Sequence, residues 1–366
     1  METLLGQKPY KFIPLNKNIV RDGAKNQNLY SGKFEISIKT LTPIHIGQGT
    51  VHIEEGKVIH DFMRKNGEIV IPGSSFKGMI RSIFEAASES CSPSLPNNNK
   101  DLEKGLPNET IDICSKIDNL CPTCSVFGIV NSAQCKKSKL RFSEFVLVDS
   151  AKDKIKNYSL PRMESPFKDY PKINNMHSFR NKKGYGNERL YYADLLENEE
   201  DYDNFDKDTY YRMIQNNEHR SIKFRGRKFY LHNINNQEQS KNDSEKFEMV
   251  EKDNIFKGQL IFEGLTRYEM SILAYILSFG TNDDFKYKIG YGKPAYFGSI
   301  KINVDSIHKY HLCTQEISEE ILTNLADEYF SNASDNLKEI LEKLKLILSN
   351  LTLGNSWPVT GGIKSY

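Results

Sequence analysis

No run of about 18 apolar residues occurs in the 366-residue chain, which excludes the usual membrane-spanning helix. The stretch from Met1 to Tyr10 lacks the positive-then-apolar order of a secretory signal, so a cytoplasmic protein is expected. A strong charge of either sign is missing too: 50 Lys and Arg oppose 48 Asp and Glu, for a formal net charge of +2. That balance announces no nucleic-acid partner by itself, but it leaves room for a locally basic face. A Walker phosphate loop is also absent. Around Gly290-Tyr291-Gly292-Lys293, the places reserved for an earlier Gly and a following Ser or Thr hold Tyr287 and Pro294, which argues against ATP.

What the chain does have is enough apolar and aromatic content, 38% and 11%, to bury a sizeable core. Five of its six cysteines fall between Cys91 and Cys135. In a reducing compartment such crowding suggests metal binding more than disulfides. Cys121-Pro-Thr-Cys124 has the two-residue spacing that lets two sulfurs meet one zinc ion, and Cys91 with Cys114 would complete a structural tetrahedral site. No histidine lies between Cys91 and Cys135, so Cys135 is the other candidate ligand; buried free thiols are the plainer alternative. A stand-alone zinc enzyme is a weak reading, because four thiolates leave no open position and no His-Glu motif accompanies them.

Along the chain, alternation from Lys33 to Thr42 predicts a half-buried strand, which Pro43-Ile44-His45-Ile46-Gly47 then breaks. Val58–Phe62 and Glu68–Ile71 read as two strands around the turn Lys65-Asn66-Gly67. A helix follows, with Phe76, Ile80, Ile83, Phe84 and Ala87 on one face, Lys77 and Arg81 on another, and Ser74 or Ser75 as its N-cap. Residues 90–116 have loop composition, and 139–149 return to strand. Residues 150–250, rich in Tyr, Asn and charge, read as an insertion. A strand at 256–265, an apolar helix at 268–280 closed by Gly280, a glycine loop and a last strand complete the core. The tail from Ile317 to Leu351 reads as one or two docked helices. This order predicts an α+β fold, a ferredoxin-like, RRM-like antiparallel sheet with helices on one face, with residues 1–310 as the main domain and 311–366 as a helical extension.

Three segments, LTPIHIGQG (41–49), IPGSSFKGMIRSIFE (71–85) and KIGYGKPAYFGSIKI (288–302), together resemble motifs of the repeat-associated mysterious protein (RAMP) superfamily of CRISPR-associated proteins. CPTCSVFG (121–128) is similar to a stretch of the type III backbone subunits of that family. The resemblance implies a subunit of a type III CRISPR effector complex that binds guide RNA and complementary target RNA alongside other subunits. A zinc-knuckle-like insertion at 88–137 and a thumb-like insertion at 150–250 are implied with it. The residues agree with an RNA role: free helix N–H groups, Ser74, Ser75, Lys77 and Arg81 suit a phosphate, while Gly290 and Gly292 let backbone approach a partner, with Tyr291 to stack and Lys293 to meet phosphate. An ordinary capped helix and a tight loop are the plain readings of those same residues. His45 is a packed or RNA-contacting residue. Lys223, Arg225 and Arg227 alternate, so a strand would set all three on one face beside Phe229 and Tyr230, as an RNA-contacting hairpin or a charge-blunted edge. The family's catalytic Asp falls closest to Glu55, with Glu54 and Asp61 as alternatives, where a carboxylate could hold Mg²⁺ for RNA cleavage. A noncatalytic subunit that caps the filament is the alternative.

Overall fold

The computed structural model describes residues 9–16, 19–21, 29–91, 114–130, 135–149, 154–161, 193–194, 223–224, 226–237, 239–240, 244–280, 284–310 and 315–352. In chain order the strands are β1 (Tyr10–Ile13), β2 (Tyr30–Thr40), β3 (Gly47–Glu54), β4 (Lys57–Phe62), β5 (Arg64–Lys65), β6 (Glu68–Ile71), β7 (Ile129–Val130), β8 (Cys135–Lys136), β9 (Leu140–Phe142), β10 (Phe145–Leu147), β11 (Ile155–Tyr158), β12 (Ala193–Asp194), β13 (Lys223–Phe224), β14 (Arg227–Tyr230), β15 (Glu245–Val250), β16 (Ile255–Leu265), β17 (Lys286–Lys288) and β18 (Ser299–Lys309). The helices are α1 (Gly73–Ala86), α2 (Pro122–Phe127), α3 (Arg267–Ile276), α4 (Glu319–Ser331) and α5 (Asp335–Ser349). None of the described helices is long and apolar enough to cross a membrane.

The main sheet runs β17-β18-β2-β16-β10-β6-β5, with β9 also on β16, and the pairings are antiparallel. Its centre, β18-β2-β16-β10, is the ferredoxin-like order of fourth, first, third and second core strands, with α1 and α3 as the two crossovers. The alternation in β2 explains the layering. Phe34, Ile36 and Ile38 are buried in the main core with α1, α3, α4 and α5, and Lys33, Glu35, Ser37 and Lys39 turn the other way. That second face is a polar lattice: Lys33 pairs with Glu35, Lys39 with Asp253, and Ser37 donates to Asp305 at 2.8 Å. Among the described residues of β2, β16 and β18 it carries no Phe, Tyr or Trp, so the open sheet face offers no stacking surface of the kind RNA-recognition sheets use.

A second, four-stranded sheet, β11-β15-β4-β3, stands beside the first, with β15 parallel to β4. Here the structure differs from the sequence reading. The turn at Asn66 (φ 51°) and Gly67 (φ 84°) does close a hairpin, but its strands are β5 and β6; Val58–Phe62 belongs to the other sheet. β3, unforeseen, is exposed along its whole length and so has no buried alternation to betray it.

Two helix ends also move. The N-cap of α1 is Pro72, not Ser74 or Ser75; both serines already lie inside the first turn, where a side chain no longer caps. α3 opens with a capping box between Thr266 and Glu269. It stops before Gly280: Ser278 takes the left-handed conformation (φ 68°), and its Oγ accepts the amide of Phe285 at 3.0 Å. The tail forms two helices, α4 capped by Ser318 and packed on α3, and α5 capped by Ser334 and packed on α1.

Candidate nucleic-acid interface

The first and third motifs, more than 200 residues apart, are joined by backbone hydrogen bonds: Leu41 to the carbonyl of Ser299 (2.8 Å), Gly298 to that of Pro43 (3.0 Å) and Tyr291 to that of His45 (2.9 Å). Gly290 has φ +80°, and a Cβ there would lie 2.2 Å from the His45 oxygen, so this crossing requires glycine. His45 is buried. Its Nδ1 donates to the Glu248 carbonyl at 2.7 Å. Burial pushes its pKa down and that hydrogen bond only partly opposes the shift, so the imidazole is a neutral packing element beneath the loop.

Above it runs a ladder of rings. His60 stacks on Phe247 (4.4 Å between centroids, 7° between planes), Phe247 stacks on Tyr291 (5.1 Å, 28°), and His45 meets Phe247 edge-on at 5.3 Å. Glu245 fixes His60 through Nε2 at 2.6 Å. Tyr291, 46% exposed, presents the ladder to solvent. Beside it, Lys293 lies 6.0 Å from the ring of Tyr230, and Lys228 stands 4.1 Å from Tyr10 and 4.8 Å from Tyr230. The exposed ring of Tyr291, backed by the partly buried rings of Phe247 and Tyr230 and with Lys293 and Lys228 near by, can take a nucleobase and its phosphate together.

On α1, Ser74 is exposed, Ser75 and Lys77 are half-buried, and the first turn holds no acid. Burial, helped by Arg81, lowers the Lys77 pKa. Arg81 donates to Glu85 at 2.9 Å, which aims its guanidinium along the helix.

The three candidate acids do not converge. Glu54 ends β3 opposite Lys57, and Glu55 (φ 49°) with Gly56 (φ 76°) makes the hairpin turn, all exposed. Asp61 sits four residues farther along β4 than Lys57, about 13 Å at strand rise. Its carboxylate accepts Thr50 at 2.5 Å and bonds His52 at 2.7 Å; the Thr50 bond first, then His52 and nearby Arg64, hold its pKa below the usual carboxylate range. Glu248, on the neighbouring strand, is gripped by both terminal nitrogens of Arg64 (2.6 and 3.0 Å) and by the Phe62 amide (2.8 Å).

Cys91, Cys114, Cys121 and Cys124 are buried together, with their sulfurs all within 4.8 Å of one another. Cys91 is 3.6 Å from both Cys121 and Cys124, too long for a disulfide and close to the roughly 3.8 Å edge of a tetrahedron with 2.3 Å metal–sulfur bonds. The Cys121 amide donates to the Cys114 sulfur at 3.2 Å, as amides do around metal-bound thiolates. The set can therefore hold a metal ion. Cys135 is exposed on β8 and takes no place in it.

A sequence model of the RAMP superfamily matches residues 37–359. The chain belongs to the RAMP superfamily. No curated protein matches it. Among solved structures, a chain described as "Type IV-B CRISPR Complex" is similar at 13% identity and a TM-score of 0.33, covering 83% of this chain and all of that one.

The first and third motifs thus build one surface, whereas of the expected basic row of Lys223, Arg225 and Arg227 only Arg227 has a described side chain. Lys223 lies on β13, paired with β12, and Arg225 falls outside the described residues. Pairing of β14 with β1 puts Lys228 and Tyr230 on one face and Arg227 with Phe229 on the other, so Lys228 is the cation beside Tyr230 and Arg227 points inward to Glu85 and the Cys91 carbonyl. The sequence reading missed Phe247, the middle rung, because Glu245–Val250 lies in the stretch read as insertion; the alternation of Phe247, Met249 and their polar neighbours was its only signal.

Proposed function

We propose that this RAMP protein is a guide-RNA-binding backbone subunit of a CRISPR effector complex of type III. It lies along the guide in the cytoplasm beside other subunits and receives the complementary target RNA. The observation that carries the reading is the meeting of the His45 and Gly290–Lys293 segments under the His60-Phe247-Tyr291 ladder, flanked by Lys293 and Lys228. Rings stack on bases without regard to sequence, and lysines follow the phosphates; a guide whose sequence is read by base pairing needs that kind of contact. Lys77, Arg81 and the open first turn of α1 add a phosphate site. The four-cysteine set is assigned to structural zinc, which pins the segment after α1.

A second reading, a noncatalytic subunit at the filament end, draws support from the separation of Glu54 and Glu55 from Asp61. In the catalytic form, Glu55 at the hairpin tip would hold Mg²⁺ near the scissile phosphate. One experiment addresses both. The chain is purified with co-expressed neighbours, bound RNA is extracted, and the complex is given complementary RNA in Mg²⁺, wild type against Glu55→Ala. Repeat-derived RNA with cleavage lost in the variant supports the catalytic form. The same RNA with unchanged cleavage moves catalysis off Glu55, and absence of RNA refutes the proposal.

A further inference from the structure

Arg227 is a buried charge with an incomplete set of partners. Its side chain is 10% exposed, Nη2 donates to the Cys91 carbonyl at 3.3 Å, and Nε is buried without a hydrogen-bond partner, 3.8 Å from the Glu85 carboxylate. Glu85 is not free to neutralise it alone, because its other oxygen takes the closer bond from Arg81 at 2.9 Å. One carboxylate thus faces two guanidiniums, and of these only Arg81 reaches solvent appreciably. A guanidinium does not shed its proton in a protein, and an uncompensated buried charge is costly. The site needs a further anion, and among the described residues the groups next to Arg227 that can supply one, beyond Glu85, are the four buried cysteines, beginning with Cys91.

Four neutral thiols would leave that charge unanswered. Four thiolates around one divalent cation carry a net charge of −2, which is itself expensive to bury without a cation near by. The two deficits match. The backbone is arranged to keep the arginine there: Gly226, at φ +109°, lies so close to Ile13 that a Cβ would be 2.0 Å from its carbonyl oxygen, and β14 is locked to β1 immediately afterwards.

We infer that Arg227 is the outer counter-cation of a metal–tetrathiolate centre at Cys91, Cys114, Cys121 and Cys124, tying the β1–β14 ribbon to that centre. The inference rests on the metal reading of the cysteine set. Its role is electrostatic, and Glu85 works against it: the carboxylate aims the two arginines but places a negative charge beside a dianion.

The opposed signs give the test. The full chain, purified reduced, is loaded with Zn²⁺ or Co²⁺, and affinity is measured by competition with a chelator, with the sulfur-to-cobalt charge-transfer band reporting thiolate ligation. Arg227→Gln should lose metal affinity by about 10- to 100-fold, the range for outer-shell partners of metal ligands. Arg227→Lys should keep most of it, and Glu85→Gln should bind as tightly as wild type or more tightly. If Arg227 only fills space, both glutamine variants loosen the metal alike, and that result overturns the inference, as does unchanged affinity in Arg227→Gln. Should Arg227→Gln fail to fold, Glu85→Gln decides on its own, since weakened binding there has the wrong sign. A wild-type chain that shows no thiolate–cobalt band removes the metal reading itself, a failure seen before any variant is made.

Discussion

The carbonyl oxygen of His45 accepts the amide of Tyr291 at 2.9 Å, and Gly290 passes the same oxygen so closely that no side chain fits between. Gly290→Ala must therefore push the glycine loop off the His45 segment and strain a left-handed residue, together about 2–4 kcal/mol of stability. Chemical denaturation checks the stability, and copurified RNA should fall with it because Tyr291 moves.

Tyr291 itself is exposed, so removing its ring should spare the fold. For Tyr291→Ala the expected outcome is loss of about 1–3 kcal/mol of RNA affinity, roughly 5- to 150-fold, with a near-normal melting temperature. Filter binding of the purified complex to single-stranded RNA measures it. Tyr291→Phe should retain the affinity, since the stacking face survives.

Acid should unfold the protein through its buried histidines. Burial lowers the pKa of His45, and it lowers that of His232 further, the ring sitting among core groups with Nδ1 3.0 Å from the Ser299 hydroxyl. The unfolded chain then binds more protons than the folded one, so stability is complete above the ordinary histidine pKa, near 6.5, and falls as pH drops below it. Melting temperatures from pH 8 to pH 5 should decline in the lower half of that range. His232→Gln should flatten part of the decline.

Stripping metal should loosen the region around α2. A strong chelator under reducing conditions is expected to lower the melting temperature and open residues 114–130 to protease, and Zn²⁺ should restore both. Cys124→Ser should resemble the stripped protein, whereas Cys135→Ser, outside the buried set, should resemble wild type.

Elements with one buried face were legible in the sequence: β2 from Phe34, Ile36 and Ile38, α1 from Phe76, Ile80 and Phe84, and the two tail helices. Where burial gives no pattern, reading failed. β3 is solvated on both faces, and Ser278 ended α3 because a downstream amide rewards its hydroxyl, a contact no local rule contains. At the candidate site His45, Gly290 and Tyr291 could be named from their motifs, but the ladder could not, because Phe247 reaches it through a parallel pairing of β15 with β4, in which Phe247 lies opposite His60, 187 residues earlier. Arg227 looked like a surface cation since alternation fixes only that neighbours oppose each other, not which side is inside.

The place of β2 between β16 and β18 constrains how the chain can be made. β16 emerges from the ribosome about 215 residues after β2 is finished and β18 about 259 residues after it, so at usual synthesis rates that apolar strand waits on the order of 10–40 seconds with both edges open and longer with one. The central strand of the native sheet is therefore the nascent chain's most adhesive segment. Slower initiation, lower temperature or a bound chaperone should raise the yield of folded protein more than any change to its surface.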